Sequence, residues 1–246
     1  MRKNSILTGL ALALSAISAV QAAPLLYSGS RSGFEANLST FTSYGLENQT
    51  LNATGVGSPL SLAALGAGST LTGGFKNYKG ANDEDLVLTG LIKNAGSSGR
   101  YNTTPGGTKW WESALNFSIG FGSGPVEAFG FNLIDYGDFD GSLSLDILGA
   151  GNSVIASFSS LDLPVPAVSG SLQFFGISDT SASIYGVRFK LAQIDEDAVL
   201  DYDWLGFDDL MVGSREPRND VPEPGSLALV GISLLGLAAA RRKARR

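Results

Sequence analysis

The chain has no cysteine and no histidine among its 246 residues. The first absence removes disulfides, thiol nucleophiles and thiolate metal sites. The second removes imidazole ligands and every catalytic triad that runs through histidine. A domain of this size can fold without disulfides, so the lack of cysteine is compatible with an oxidising compartment. Charge is also scarce, at 16% of residues. Between the two ends no segment keeps a helical period, no internal repeat is visible, and no Gly-x-Ser-x-Gly elbow stands out.

What is present suits strands. Hydrophobic residues make up 43% of the chain, and 32 glycines punctuate it. Short alternating segments recur, such as Ser142 to Leu148, where Leu143, Leu145 and Ile147 fall on one face and Ser142, Ser144 and Asp146 on the other. Similar patterns run over 85–92, 114–119, 153–158, 172–175 and 183–190, with Gly-rich spacers such as 120–125 between them. The expected fold is all-β, an antiparallel β-sandwich over residues 23–213, followed by a tether at 214–220. Residues 24–220 hold 22 acidic and 10 basic side chains, a net charge of −12. Such a surface repels nucleic acid and attracts divalent cations.

Both ends read as addressing segments. Arg2 and Lys3 precede an apolar run from Ile6 to Val20. Val20, Ala22 and Ala23 then form a small-residue cleavage region, so residues 1–22 are expected to be a signal peptide removed by signal peptidase. The alternative is an uncleaved N-terminal anchor. At the other end Pro222, Glu223 and Pro224 precede an apolar stretch from Ser226 to Ala240 and five basic residues between Arg241 and Arg246. Two prolines one residue apart keep the backbone extended. At about 1.5 Å per residue the stretch 226–240 is barely long enough for a transmembrane helix, and the basic cluster would hold its C-terminus in the cytoplasm.

This order of tripeptide, hydrophobic helix and basic cluster over 221–246 resembles the PEP-CTERM sorting signal of Gram-negative, often biofilm-forming bacteria. The resemblance implies an exosortase-type membrane enzyme as partner, with Pro222, Glu223 and Pro224 as its recognition residues. The protein would be an inner-membrane-anchored intermediate facing the periplasm, then part of the envelope, cell surface or extracellular matrix. A plain membrane anchor with a proline-rich stalk is the alternative. The segments 126–135, 141–145, 174–177 and 204–212 are also similar to jelly-roll domains of exported PEP-CTERM proteins and of carbohydrate-binding modules. That similarity implies a fold rather than a function.

Candidate chemistry rests on carboxylates and tryptophans. Asp135, Asp138 and Asp140 precede Gly141, and a second acidic group, from Asp195 onward, ends with Asp208 and Asp209. Calcium takes six to eight oxygens, so Asp135, Asp138, Asp140, Asp208 and Asp209 are candidate Ca2+ ligands. The bland alternative is turn capping on solvated loops. Trp110 and Trp111 would face opposite sides of a strand, leaving one able to stack on a sugar ring. The favoured function is a non-catalytic surface or matrix protein associated with extracellular polysaccharide. A carbohydrate-binding module with a defined glycan is the alternative. An envelope glycoside hydrolase, which needs two carboxylates at a set separation, comes third.

Overall fold

The computed structural model describes residues 23–79, 82–95, 98–159, 168–181, 183–193 and 203–215, with Ser233 and Arg241 singly. The chain divides into two compact units, Met1–Arg215 and Glu216–Arg246, and the fold below is that of the first. Val20 and Ala22, the sorting residues Pro222, Glu223 and Pro224, and the segment 226–240 apart from Ser233 lie outside the described residues. So do Asp195, Glu196, Asp197 and Asp201. Among the described residues no helix is long and apolar enough to cross a membrane.

Two antiparallel sheets face each other. The larger has the order β1 (Leu25–Gly29), β13 (Leu172–Ser178), β10 (Ala128–Ile134), β15 (Leu205–Arg215), β8 (Trp110–Ser113) and β7 (Leu91–Lys93). A further strand, β2 (Leu38–Tyr44), pairs with the C-terminal half of β15. The smaller sheet has the order β12 (Val154–Phe158), β11 (Gly141–Leu148), β14 (Gly186–Gln193), β9 (Phe117–Gly120), β4 (Thr70–Gly73) and β3 (Leu60–Ser61). A separate hairpin joins β5 (Phe75–Lys79) to β6 (Asp85–Thr89). The chain switches sheet at every step from β8 to β11 and again at every step from β12 to β15. This is the jelly-roll manner of closing a sandwich.

The alternation in the sequence sets the core. Leu143, Leu145 and Ile147 are buried between the sheets, with Val187 and Phe189 from β14 and Phe129, Phe131 and Leu133 from β10. Phe117 stacks on Phe189 at a centroid distance of 4.3 Å, and Phe207 meets both edge-on. Such aromatic contacts add about 0.5–1.5 kcal/mol each beyond their buried area.

A second apolar cluster of Phe34, Leu38, Ala128, Phe174 and Met211 lies apart from this core. It lies where α1 (Arg31–Glu35) packs on the outer face of the larger sheet. Ser30 caps this single turn by accepting from the Gly33 N–H at 3.1 Å. Gly130 and Gly176 let the rings lie close to the sheet, since a Cβ at Gly176 would come within 2.5 Å of Phe34 and one at Gly130 within 2.7 Å of Phe174.

Three expectations need correction. The segment 85–92 is two strands, broken at Gly90, where a Cβ would strike the Trp111 ring at 2.5 Å. The tether does not begin at 214, because Ser214 pairs with Thr40 and Arg215 with Leu38 as the end of β15. Trp110 and Trp111 are 1% and 0% exposed, so neither can stack on a sugar. They do alternate, but both faces of β8 are covered. Trp111 packs into the core beside Phe117, and Trp110 lies near Gly206 in the neighbouring strand.

Candidate functional site

Asp208 and Asp209 would point to opposite faces of a regular strand. They do not, because β15 carries a bulge: Gly130 pairs with Met211, whereas Asn132 pairs with Asp208. Asp209 takes the left-handed conformation, with φ of 49°. A bulge re-aims side chains in this way. Both carboxylates consequently reach Thr103, whose hydroxyl lies 2.9 Å from Asp208 Oδ2 and 3.1 Å from Asp209 Oδ2. Asp208 Oδ2 also accepts from the backbone N–H groups of Thr103 and Thr104 and from Asn102 Nδ2.

The loop that donates these bonds, residues 98–109, is pinned on two further sides. Glu47 Oε1 accepts from Asn102 Nδ2 and from the N–H groups of Thr108 and Lys109, at 2.8–3.0 Å. Lys109 Nζ in turn donates to the carbonyls of Glu47 and Gln49. At the loop's start the buried Arg100 guanidinium bridges Glu112 Oε2 at 2.9 Å and Asp135 Oδ2 at 3.0 Å. The fit is tight: a Cβ at Gly99 would lie 2.2 Å from Asp135 Oδ1.

Held this way, the loop forms one wall of an open cleft of about 680 Å³ on the outer face of the larger sheet. Thr103, Thr104 and Pro105 line the loop side, and Arg31 and Glu35 of α1 line the other. Asn132, Asp209, Leu172 and Phe174 belong to the sheet strands that line it. Arg31 organises the polar side. Its Nε lies 2.8 Å from Glu35 Oε1, its Nη1 3.1 Å from Asp209 Oδ2, and its Nη2 donates to Ser43. Asn132 Nδ2 donates to Thr103 Oγ1 and to Asp209 Oδ2. Hydroxyl, amide, guanidinium and carboxylate groups therefore share one concavity with apolar surface. This is the mixed lining that small-ligand sites use.

The five expected calcium ligands are not gathered at one point. Asp135 is committed to Arg100, and Asp208 and Asp209 to the threonines, Asn132 and Arg31. Asp138 and Asp140 lie in the turn before β11, where the Asp140 N–H donates to Asp203. Among the described residues no three acidic side chains form a metal-holding group. Arg31, Asn132 and Thr103 had no sequence signal beyond one. Asn132 is a lone polar residue in the apolar run 128–134.

Burial pushes the Asp208 carboxyl up to about 6, and the adjacent Asp209 charge adds to the rise against the opposing Thr103 and Asp209 backbone bonds. Its ordinary value is 3.8. The folded state therefore binds this proton more tightly than the unfolded chain. The cost of burying the charge is absent below pH ~4, grows as pH rises to ~6, and is complete above that, up to about 3 kcal/mol. Asp203 is also raised, chiefly by burial. Asp146 and Asp179 are lowered by their hydrogen bonds despite burial. Their stabilisation is present above the ordinary value and is lost only at lower pH. Urea denaturation is expected to show greatest stability at about pH 4–5. Asp208→Asn should flatten the decline between about pH 4 and 6; an unchanged slope would show that another group produces it.

Comparison with known proteins bears first on the tail. Residues 220–243 match the PEP-CTERM protein-sorting motif. This defines an exported protein that transits a membrane and is processed by an exosortase-type membrane enzyme. The chain thus joins a PEP-CTERM tail to an antiparallel β-sandwich. No curated protein matches it. Among solved structures, the K1 cleaved adhesin domain of Lys-gingipain from Porphyromonas gingivalis W83 is 10% identical, with a TM-score of 0.41 over 72% of this chain and 99% of that one. The K2 cleaved adhesin domain of Lys-gingipain is 12% identical, with a TM-score of 0.39 over 71% and 98%. The CBM51-2 and INT domains of Clostridium perfringens ZmpB, solved with GlcNAc, are 9% identical, with a TM-score of 0.31 over 79% and 38%. At scores this low none of them informs the function.

Proposed function

We propose that the chain is a non-catalytic surface or matrix protein that is delivered through its sorting tail and holds extracellular polysaccharide in the cleft beside α1. The observation that carries this reading is the lining of that cleft. Arg31, Ser43, Thr103, Thr104 and Asn132 offer hydrogen bonds suited to sugar hydroxyls, next to apolar contact from Leu172, Phe174 and Pro105. The two carboxylates that line it, Glu35 and Asp209, both bind the Arg31 guanidinium. That arrangement favours ligand holding over hydrolysis, which needs one carboxyl able to give up a proton.

The test uses the mature protein purified from its exporting host and the polysaccharide of that host, by affinity electrophoresis. The wild type should be retarded. Arg31→Ala removes a charged hydrogen-bonding group and should weaken binding by about ten- to a hundredfold with the circular dichroism unchanged. Equal retardation of both proteins, or no retardation of the wild type, would dismiss the cleft as the site. Release of reducing ends from the polysaccharide would instead favour the hydrolase.

A further inference from the structure

The other sheet has an outer face of different chemistry. Its six strands contain one acidic residue, Asp146, and two basic ones, Arg188 and Lys190. A net charge of +1 there contrasts with −12 for residues 24–220. The three charged groups sit together: Lys190 Nζ lies 2.8 Å from Asp146 Oδ1 and Arg188 Nη1 lies 3.5 Å from Asp146 Oδ2. The Ser157 hydroxyl donates to the same carboxylate at 2.8 Å. One anion thus serves two cations. Arg188 and Lys190 stay 41% and 42% exposed.

The register puts these groups on a broad, low surface. Ser157, Asp146, Arg188, Ser118 and Thr72 are successive cross-strand partners over five strands. At about 4.8 Å per strand this row runs about 19 Å. Ser144 is the partner of Lys190 on the same face. Beside the row, Gly186 pairs with Gly120 and Gly120 with Thr70, so two central strands carry no side chain there. Arg188 and Lys190 therefore rise from a floor of hydroxyls and bare backbone. A flexible chain could lie across it and meet both cations.

We propose that this face docks a linear polyanionic polysaccharide, with Arg188 and Lys190 contacting its acidic groups and Ser118, Thr72 and Ser144 its hydroxyls. The selectivity follows from charge. A polyanion is repelled by most of the protein and meets net attraction on this face. The cleft on the opposite sheet does not fit the same ligand, since its one cation is flanked by Glu35 and Asp209. The proposal is thus independent of the cleft's occupant.

The mature exported protein is run through gels containing polygalacturonate or, as a neutral control, dextran. Polygalacturonate should retard it at low salt and lose that effect at high salt, as expected for exposed charges. Arg188→Gln with Lys190→Gln should weaken retardation about tenfold. Asp146→Asn keeps a partner for Ser157 and frees both cations, so it should strengthen retardation several-fold. Arg31→Ala should leave it unchanged. The opposite signs separate docking from damage, because a misfolded double variant leaves the gain in Asp146→Asn still to be met. Equal retardation by dextran, or no gain with Asp146→Asn, overturns the proposal.

Discussion

Replacing Arg100 with alanine is expected to cost about 3–5 kcal/mol, the loss seen when one member of a buried ion group is removed. For a domain of this size that lowers the melting temperature by roughly 10 °C. The cause is what remains. Arg100 is the common partner of Glu112 and Asp135, and all three side chains are buried. It also donates to the carbonyls of Ser98 and Trp204. Without it two carboxylates and the start of the 98–109 loop lose their shared partner in a poorly solvated site. Removing the charges together, with Arg100→Met, Glu112→Gln and Asp135→Asn, should recover much of the loss. Thermal denaturation of the mature protein checks both. A single variant as stable as the wild type would show that water reaches the site. Because the same loop walls the cleft, Arg100→Ala should also weaken polysaccharide binding without touching the ligand.

The second large effect concerns the tail and is all or none. In a host with its exosortase the mature protein should lack Arg241–Arg246. Replacing Pro222, Glu223 and Pro224 with alanines should leave those residues attached. The structure adds a limit of reach. Strand β15 ends at Arg215, so residues 216–221 are all the chain between the folded domain and Pro222. Six residues span at most about 20 Å. The processing enzyme must therefore act close to the sandwich, and deleting 216–219 should block processing even with the tripeptide intact. Intact mass measurement distinguishes the forms. A tail that persists equally with and without the exosortase would make this segment a plain anchor.

The sandwich was legible because burial on one face of a strand leaves a period of two in the sequence. That period puts Leu143, Leu145 and Ile147 on one face, and the face proves to be the buried one. The run 128–134 is buried at every position, since on the outer face the second apolar cluster takes in Ala128 and closes over Gly130, while Thr103 of the 98–109 loop meets Asn132. Nothing in residues 31–35 announces this: a five-residue helix is too short to show a period. The cleft was less legible still. In the sequence Asp208 and Asp209 stand out as candidate calcium ligands, not as residues of a cleft. What places them beside Thr103 is the bulge against Asn132, a property of strand pairing that no local pattern encodes. The tryptophans failed for a related reason. Alternation tells which sides Trp110 and Trp111 take, but not that both sides are covered.

The position of β15 has a mechanical consequence. Any load carried by the tail enters the sandwich at Arg215, the end of an eleven-residue strand in the interior of the larger sheet. β10 is bonded along one side of that strand, and β8 and then β2 along the other. Interstrand hydrogen bonds lie across the strand axis. Tension along β15 must therefore shear two ladders at once, whereas an edge strand peeled from one end loses its bonds in turn. Forced unfolding is governed by the height of that barrier rather than by equilibrium stability. Pulling from the C-terminal end of β15 should therefore meet a higher unfolding barrier than pulling from an edge strand such as β1.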